Sequence, residues 1–222
     1  METKQILDFL KKLQKNNNKE WFEKNRDTYE AIKSQLKEFA TALIESINQF
    51  DPSLGPLESK DCLFRINRDV RFSNNKSPYK TNVGMYLARG GKKSKYAGYY
   101  LHLQPGNESF IAGGLYVPEA EDLKRVRDEI DYDAADLLKI LKSKAFVKYF
   151  SEINGDKLKN PPKGYAKDHP NIELLKHKSF VMFHRLSDDQ LLSKDLSKYC
   201  PEVFKQMTPL NSYFNRALDG DL

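Results

Sequence analysis

Apolar positions recur along this chain with two periods, and the change from one to the other divides it. Phe22, Tyr29, Ile32, Leu36, Phe39, Leu43 and Ile47 fall at intervals of three, four and seven, which is one stripe of a helix facing a core. Before it, Thr3 predicts the cap of a shorter helix running to about Gln14, and the polar break Asn16-Asn17-Asn18 caps the long one. Asp51-Pro52-Ser53-Leu54-Gly55-Pro56 ends that helix, and the period then drops to two. Read as a strand, Leu63 to Phe72 puts Phe64, Ile66, Val70 and Phe72 on one face with Arg68 among them, and Arg65, Asn67, Asp69 and Arg71 on the other. Asn82–Ala88, Tyr96–Gln104 and Glu108–Val117 read as further strands, joined by Arg89-Gly90-Gly91-Lys92 and Pro105-Gly106-Asn107. Both connections carry turn chemistry, so the strands form an antiparallel meander.

Pro118 followed by Glu119, Glu121 and Asp122 marks a helix start, with carboxylates near the positive end of the dipole, and helices follow to about Ile153. A polar, Pro-rich loop spans Gly155 to Pro170, followed by a short helix from Asn171, an apolar strand Phe180–Leu186 and a helical C-terminus capped by Ser187. The expected fold class is α+β, a mostly antiparallel sheet flanked by N-terminal and C-terminal helices, in one domain over residues 1–222.

Charge singles out one segment. The 222 residues carry 37 Lys and Arg against 31 Asp and Glu, net +6, yet Lys60 to Lys95 alone holds 10 basic and 2 acidic residues. The remainder has 27 basic and 29 acidic residues, so the basic pI near 9.0 belongs to that segment and predicts an anion-facing surface. The start of the chain has no basic region followed by an apolar one, and no apolar run approaches the roughly 20 residues that span a bilayer. A cytoplasmic, non-membrane protein is expected. Cys62 and Cys200 lack metal-ligand spacing and predict buried, reduced thiols. His102, His169, His177 and His184 are too scattered for a metal motif, and no pattern specifies a cofactor or an oligomeric state.

Within Leu63–Lys80 stand five cations and one carboxylate. Arginine forks fit phosphate or carboxylate bidentately, and Arg65 and Arg71 on alternate positions can converge on one anion, with Lys76 and Lys80 arriving from the following turn. Arg68 and Asp69 would organise the cluster, Arg68 needing a buried partner, and Tyr79 completes the candidate ligand-binding set. The competing reading is structural, an Arg–Asp network that ties the turn to the sheet. A third reading is nucleic acid, because Phe64, Phe72, Tyr79, Tyr86, Tyr96, Tyr99 and Tyr100 interleave with the cations as stacking surfaces would. With no recognisable nucleic-acid signature, a phosphorylated or other anionic small molecule is the favoured partner. Lys92, Lys93 and Lys95 also fit a solvated loop tip. The catalytic candidates are Asp168 and His169, an acid–base pair if the Pro-rich loop folds over the basic sheet; otherwise Asp168 caps the next helix. Gly113-Gly114 lacks dinucleotide spacing and suggests a bulge or close backbone approach. These residues outline a binding site and specify no reaction.

The pattern Arg65, Arg68, Asp69, Arg71, Phe72, Asn75, Lys76 and Tyr79 resembles that of a bacterial family catalogued as a domain of unknown function. Asn17 to Phe22 with Asn25, Arg26 and Tyr29, then Gly113-Gly114 before Pro118, and Asp168-His169-Pro170, extend the resemblance over essentially the whole chain. It implies no activity, cofactor or partner.

Overall fold

The computed structural model describes residues 1–220 of the chain. Helix α1, Thr3–Lys15, buries Ile6, Leu7, Phe9, Leu10 and Leu13, and its cap is Glu2 without a side-chain bond, one residue before the expected Thr3. Asn18 does cap α2 (Lys19–Lys24), its Oδ1 accepting from the Trp21 amide at 2.9 Å. The apolar stripe predicted one helix, but the chain breaks at Asn25, whose side-chain amide donates to the Trp21 carbonyl before α3 runs from Arg26 to Asn48. The stripe survives the break because Phe22, Ile32, Leu36, Phe39, Leu43 and Ile47 are all buried on the same side.

After a single 3-10 turn at Pro52–Leu54 and the short α4 (Ser59–Cys62), the sheet is built from β1 (Val83–Leu87), β2 (Gly98–Leu103), β3 (Ser109–Leu115) and β4 (Phe180–Leu186), in the order β1-β2-β3-β4, all antiparallel. Between β3 and β4 lie α5 (Ala120–Tyr132), α6 (Ala135–Lys142), α7 (Lys144–Val147) and α8 (Ile172–Leu175). After β4 come α9 (Asp188–Ser193), opened by a Ser187–Gln190 capping box, and α10 (Leu196–Asp219). The fold is α+β, with helices at both ends of the chain.

Strand periodicity gives the sheet two faces. Tyr99, Leu101, Leu103, Ile111, Leu115, Phe180 and Met182 point into the core and are essentially inaccessible. Helix α10 covers them with Val203, Phe204, Met207, Leu210 and Phe214. Gly113 and Gly114 permit this docking. A Cβ on Gly113 would lie 2.5 Å from Met207, and Gly114 has φ +106° with a Cβ position 2.0 Å from the Phe180 carbonyl oxygen. The Gly114 amide donates to Asn211 Oδ1 of α10 at 3.0 Å, so the close approach expected there is what the pair supplies. Cys62 and Cys200 are buried free thiols, with desolvation pushing Cys62 up to about 11. Among the described residues no helix is long and apolar enough to cross a membrane.

Candidate functional site

The opposite sheet face is open, and among the described residues the helices reach its groove only at Asp122 of α5. Its side chains come from Tyr86, Tyr100, His102, Phe110, Ala112, Phe183 and Val181, which the register aligns in rows such as Tyr86, Tyr100, Ala112 and Phe183 across all four strands. Together with the segments before β1 and between β1 and β2, this face encloses a groove of about 920 Å³. Small residues lower its floor: a Cβ on Gly84 would meet the Tyr100 hydroxyl at 2.5 Å, so Gly84 is what lets that ring lie toward β1. The rings pack in sequence, Phe64 to Tyr100 at 6.3 Å, Tyr100 to Phe110 at 5.7 Å and Phe110 to Phe183 at 5.1 Å, and His102 stacks on Phe110 at 4.6 Å. Burial holds the His102 imidazole below its ordinary pKa and pushes the Tyr100 phenol up to about 12. Val117, at φ +44°, holds the far rim in a conformation a β-branched residue rarely adopts, its amide donating to Ser179 Oγ at 3.0 Å.

The basic motif borders this groove, though not as a strand. Leu63–Phe72 makes only isolated bridges, Leu63 with Met85 and Asn67 with Tyr79. The Arg68 amide donates to the Pro78 carbonyl and the Lys80 amide to Ile66, and between these rungs the chain bulges out as a loop over 69–77. The alternation misleads because only Ile66 is buried; Phe64 is exposed and Phe72 is 96% exposed. Pro78, lacking an N–H, also cannot extend a ladder. Arg68 therefore does not interrupt an apolar strand face. It is half-buried and holds the loop through neutral acceptors, Nη1 donating to the Ser77 carbonyl at 3.0 Å and Nη2 to Ser73 Oγ at 3.2 Å.

The remaining motif residues divide by role. Arg71 forks onto Asp69, with Nε to Oδ1 at 3.0 Å and Nη2 to Oδ2 at 2.7 Å, an exposed pair that keeps the Asp69 carboxyl below the usual range. Lys76 donates to the Val70 carbonyl within the loop. Tyr79 is buried, stacked on Phe22 at 4.0 Å, and its backbone is read from both sides by the Asn17 amide. Lys80 sits half-buried, its ammonium 5.5 Å from the Phe64 ring centroid, and desolvation followed by the neighbouring Arg65 charge lowers its pKa. Arg68, Asp69 and Lys80 line the groove; Arg68, Tyr79 and Lys80 line an adjoining polar pocket of about 280 Å³ with Asn75, Ser77 and Asn82. Arg65, Arg71 and Lys76 line neither. Among the described residues, neither Arg68 nor Lys80 pairs with a carboxylate.

Asp168 and His169 lie elsewhere. The Pro-rich loop folds onto α5, not the sheet: His169 Nε2 is 3.2 Å from Asp131, and Tyr165 donates to Asp128 at 2.8 Å. It is His169 Nδ1, accepting from the Asn171 amide, that organises the following turn, while Asp168 is exposed. Arg89, read as a loop residue, instead joins Asp219 of α10 at 2.6 Å and stacks on Tyr96 at 3.6 Å, so the β1–β2 loop is anchored where Lys92, Lys93 and Lys95 meet the groove. The groove residues missed by charge-based reading are His102, Phe110 and Phe183. Their signal was the alternation of aromatic or His residues with aliphatic ones: Tyr100, His102 and Phe110 against Leu101, Leu103 and Ile111.

The arrangement defines an α+β protein whose sheet is a core on one side and an open, cation-bordered concavity on the other. A family model described as conserved hypothetical protein (DUF2461) matches residues 5–213, and the chain belongs to that family. No curated protein and no solved structure matches it.

Proposed function

We propose that the chain is a single-domain binding protein whose open sheet face takes a phosphorylated or otherwise anionic ligand, held by Arg68 and Lys80 with Arg65 adding to the field. The observation that carries this is their placement. Both cations line the groove and the polar pocket beside it, and neither is neutralised by a carboxylate among the described residues. A partly desolvated ammonium next to a second cation is held at a cost that a bound anion relieves. What the site offers to such a ligand is binding and orientation.

A thermal-shift series with inorganic phosphate, pyrophosphate and sulfate tests the proposal. An anion present at 100 times its dissociation constant adds about 2.7 kcal/mol to wild-type stability. Lys80→Met, which keeps the stem against Phe64, should lose most of that shift. A wild type indifferent to every anion, or a Lys80→Met protein that responds equally, overturns the reading.

A further inference from the structure

Resting on that reading, we propose that the groove's ligand is single-stranded nucleic acid, its phosphates held by the cations and two or three bases laid on the aromatic floor. A small inorganic or sugar phosphate would satisfy Lys80 and Arg68 but would leave the adjoining platform of rings uncovered. The row of rings begins at the cation, since the Lys80 ammonium stands over Phe64, and continues through Tyr100 and Phe110 to Phe183 at 6.3, 5.7 and 5.1 Å, each turned 72°, 48° and 84° from the one before, so that each ring offers its own surface to a base. All four side chains retain solvent access, so a planar base can displace water from their surfaces. Four-stranded antiparallel sheets that present half-exposed rings on one face suit unstacked bases in this way.

The cations favour a strand over a free nucleotide. They fall in two groups, Arg68 and Lys80 before β1 and Lys92, Lys93 and Lys95 after it, and both groups line the groove; in the second, Lys95 pairs with Asp122 at 3.7 Å and Lys92 donates to the Lys60 carbonyl, so Lys93 is its free cation among the described residues. The five residues of β1 lie between them, a span of roughly 15 Å at the rise of an extended strand. One phosphate cannot serve both groups, whereas successive phosphates of a strand can. Arg185, exposed and paired across the register with Phe110, adds a cation on the same face at the other sheet edge. Duplexes are disfavoured because their bases are already stacked and cannot reach the floor.

Fluorescence anisotropy with labelled eight-nucleotide single strands of DNA and RNA decides the matter. The wild type should bind with a log-log salt slope of about −0.7 per contacted phosphate. Phe110→Leu, folded by circular dichroism, should weaken binding roughly tenfold, and Lys93→Gln should lower the salt slope. Binding of the strand that Phe110→Leu leaves unchanged, a matched duplex bound equally well, or a mononucleotide competing as effectively as the strand would each overturn the inference. If strands fail to bind at low salt while pyrophosphate still stabilises the protein, the nucleic-acid inference falls and the anion site stands. If neither acts, both fall.

Discussion

The two faces of the sheet are made from the same strands with similar apolar content, yet they differ in what covers them. On one, Leu87, Tyr99, Leu101 and Ile111 face the core and are essentially inaccessible. On the other, Tyr86, Tyr100, Phe110 and Phe183 retain exposure and border Arg68 and Lys80. Even the tyrosines separate: the Tyr99 hydroxyl donates to the buried Asp51 at 2.6 Å, while that of its neighbour Tyr100 meets His102 at 3.1 Å in the groove. Aliphatic residues on the covered face fill space against a helix. Aromatic residues on the open face give flat, polarisable surfaces that need no protein partner.

Substitutions should break this symmetry, and the largest effect belongs to the covered face. Leu101→Ala removes a side chain with no solvent access and should cost about 2–5 kcal/mol. Phe110→Leu on the open face should cost less than about 1.5 kcal/mol. Urea denaturation of both variants measures the difference; equal losses would mean that the open face is as tightly packed as the core.

The next effect is acid sensitivity. His177, buried beside Phe180 of the covered face, has its pKa lowered from 6.5 to about 4 by desolvation and then by Lys157. A folded-state value below the unfolded one means that the unfolded chain takes up the proton first. Stability is therefore full above pH 6.5 and declines as the pH falls toward 4, by about 3 kcal/mol for this group. His102, half-buried on the open face, is displaced in the same direction. Melting temperatures at pH 7.5, 5.5 and 4.5 should show His177→Gln flattening the acid limb more than His102→Gln; the reverse order would place the greater desolvation on the open face.

The smallest effect is expected where the motif looked most functional. Arg71→Ala removes an exposed ion pair with Asp69 that stays within its own loop, and such pairs contribute little. Neither the denaturation midpoint nor the anion-induced thermal shift should move. A lost shift would show that Arg71 leaves Asp69 and turns into the groove when ligand binds.

Much of this architecture is legible in local pattern. Phe180–Leu186 is a strand over the residues its apolar run marked, Ser187 caps the helix that follows, and the turns at Gly90-Gly91 and Pro105-Gly106-Asn107 join neighbouring strands. Each depends on dihedral preference or capping within a few residues. The reading of Leu63–Phe72 failed because alternation records which residues could share a face, whereas a strand also needs a partner edge, and among the described residues this segment makes only scattered rungs with Gly84, Met85 and Pro78–Lys80. The long helix was divided by one Asn whose side chain competes for a backbone carbonyl, a local event that an apolar stripe does not register.

For the site, a dense cationic segment ahead of an aromatic meander can be read directly from the residues, because charge and side-chain type belong to each residue alone. Which of those charges are paired within the protein depends on how the chain folds. Arg71 is occupied by Asp69, two positions away, and Tyr79 by Asn17, 62 positions away. Lys80 and Arg68, the latter held by the Ser77 carbonyl and Ser73 hydroxyl, line the groove on the sheet face opposite α10. Burial and pairing arise from contacts between segments distant in the chain, and no local pattern carries them.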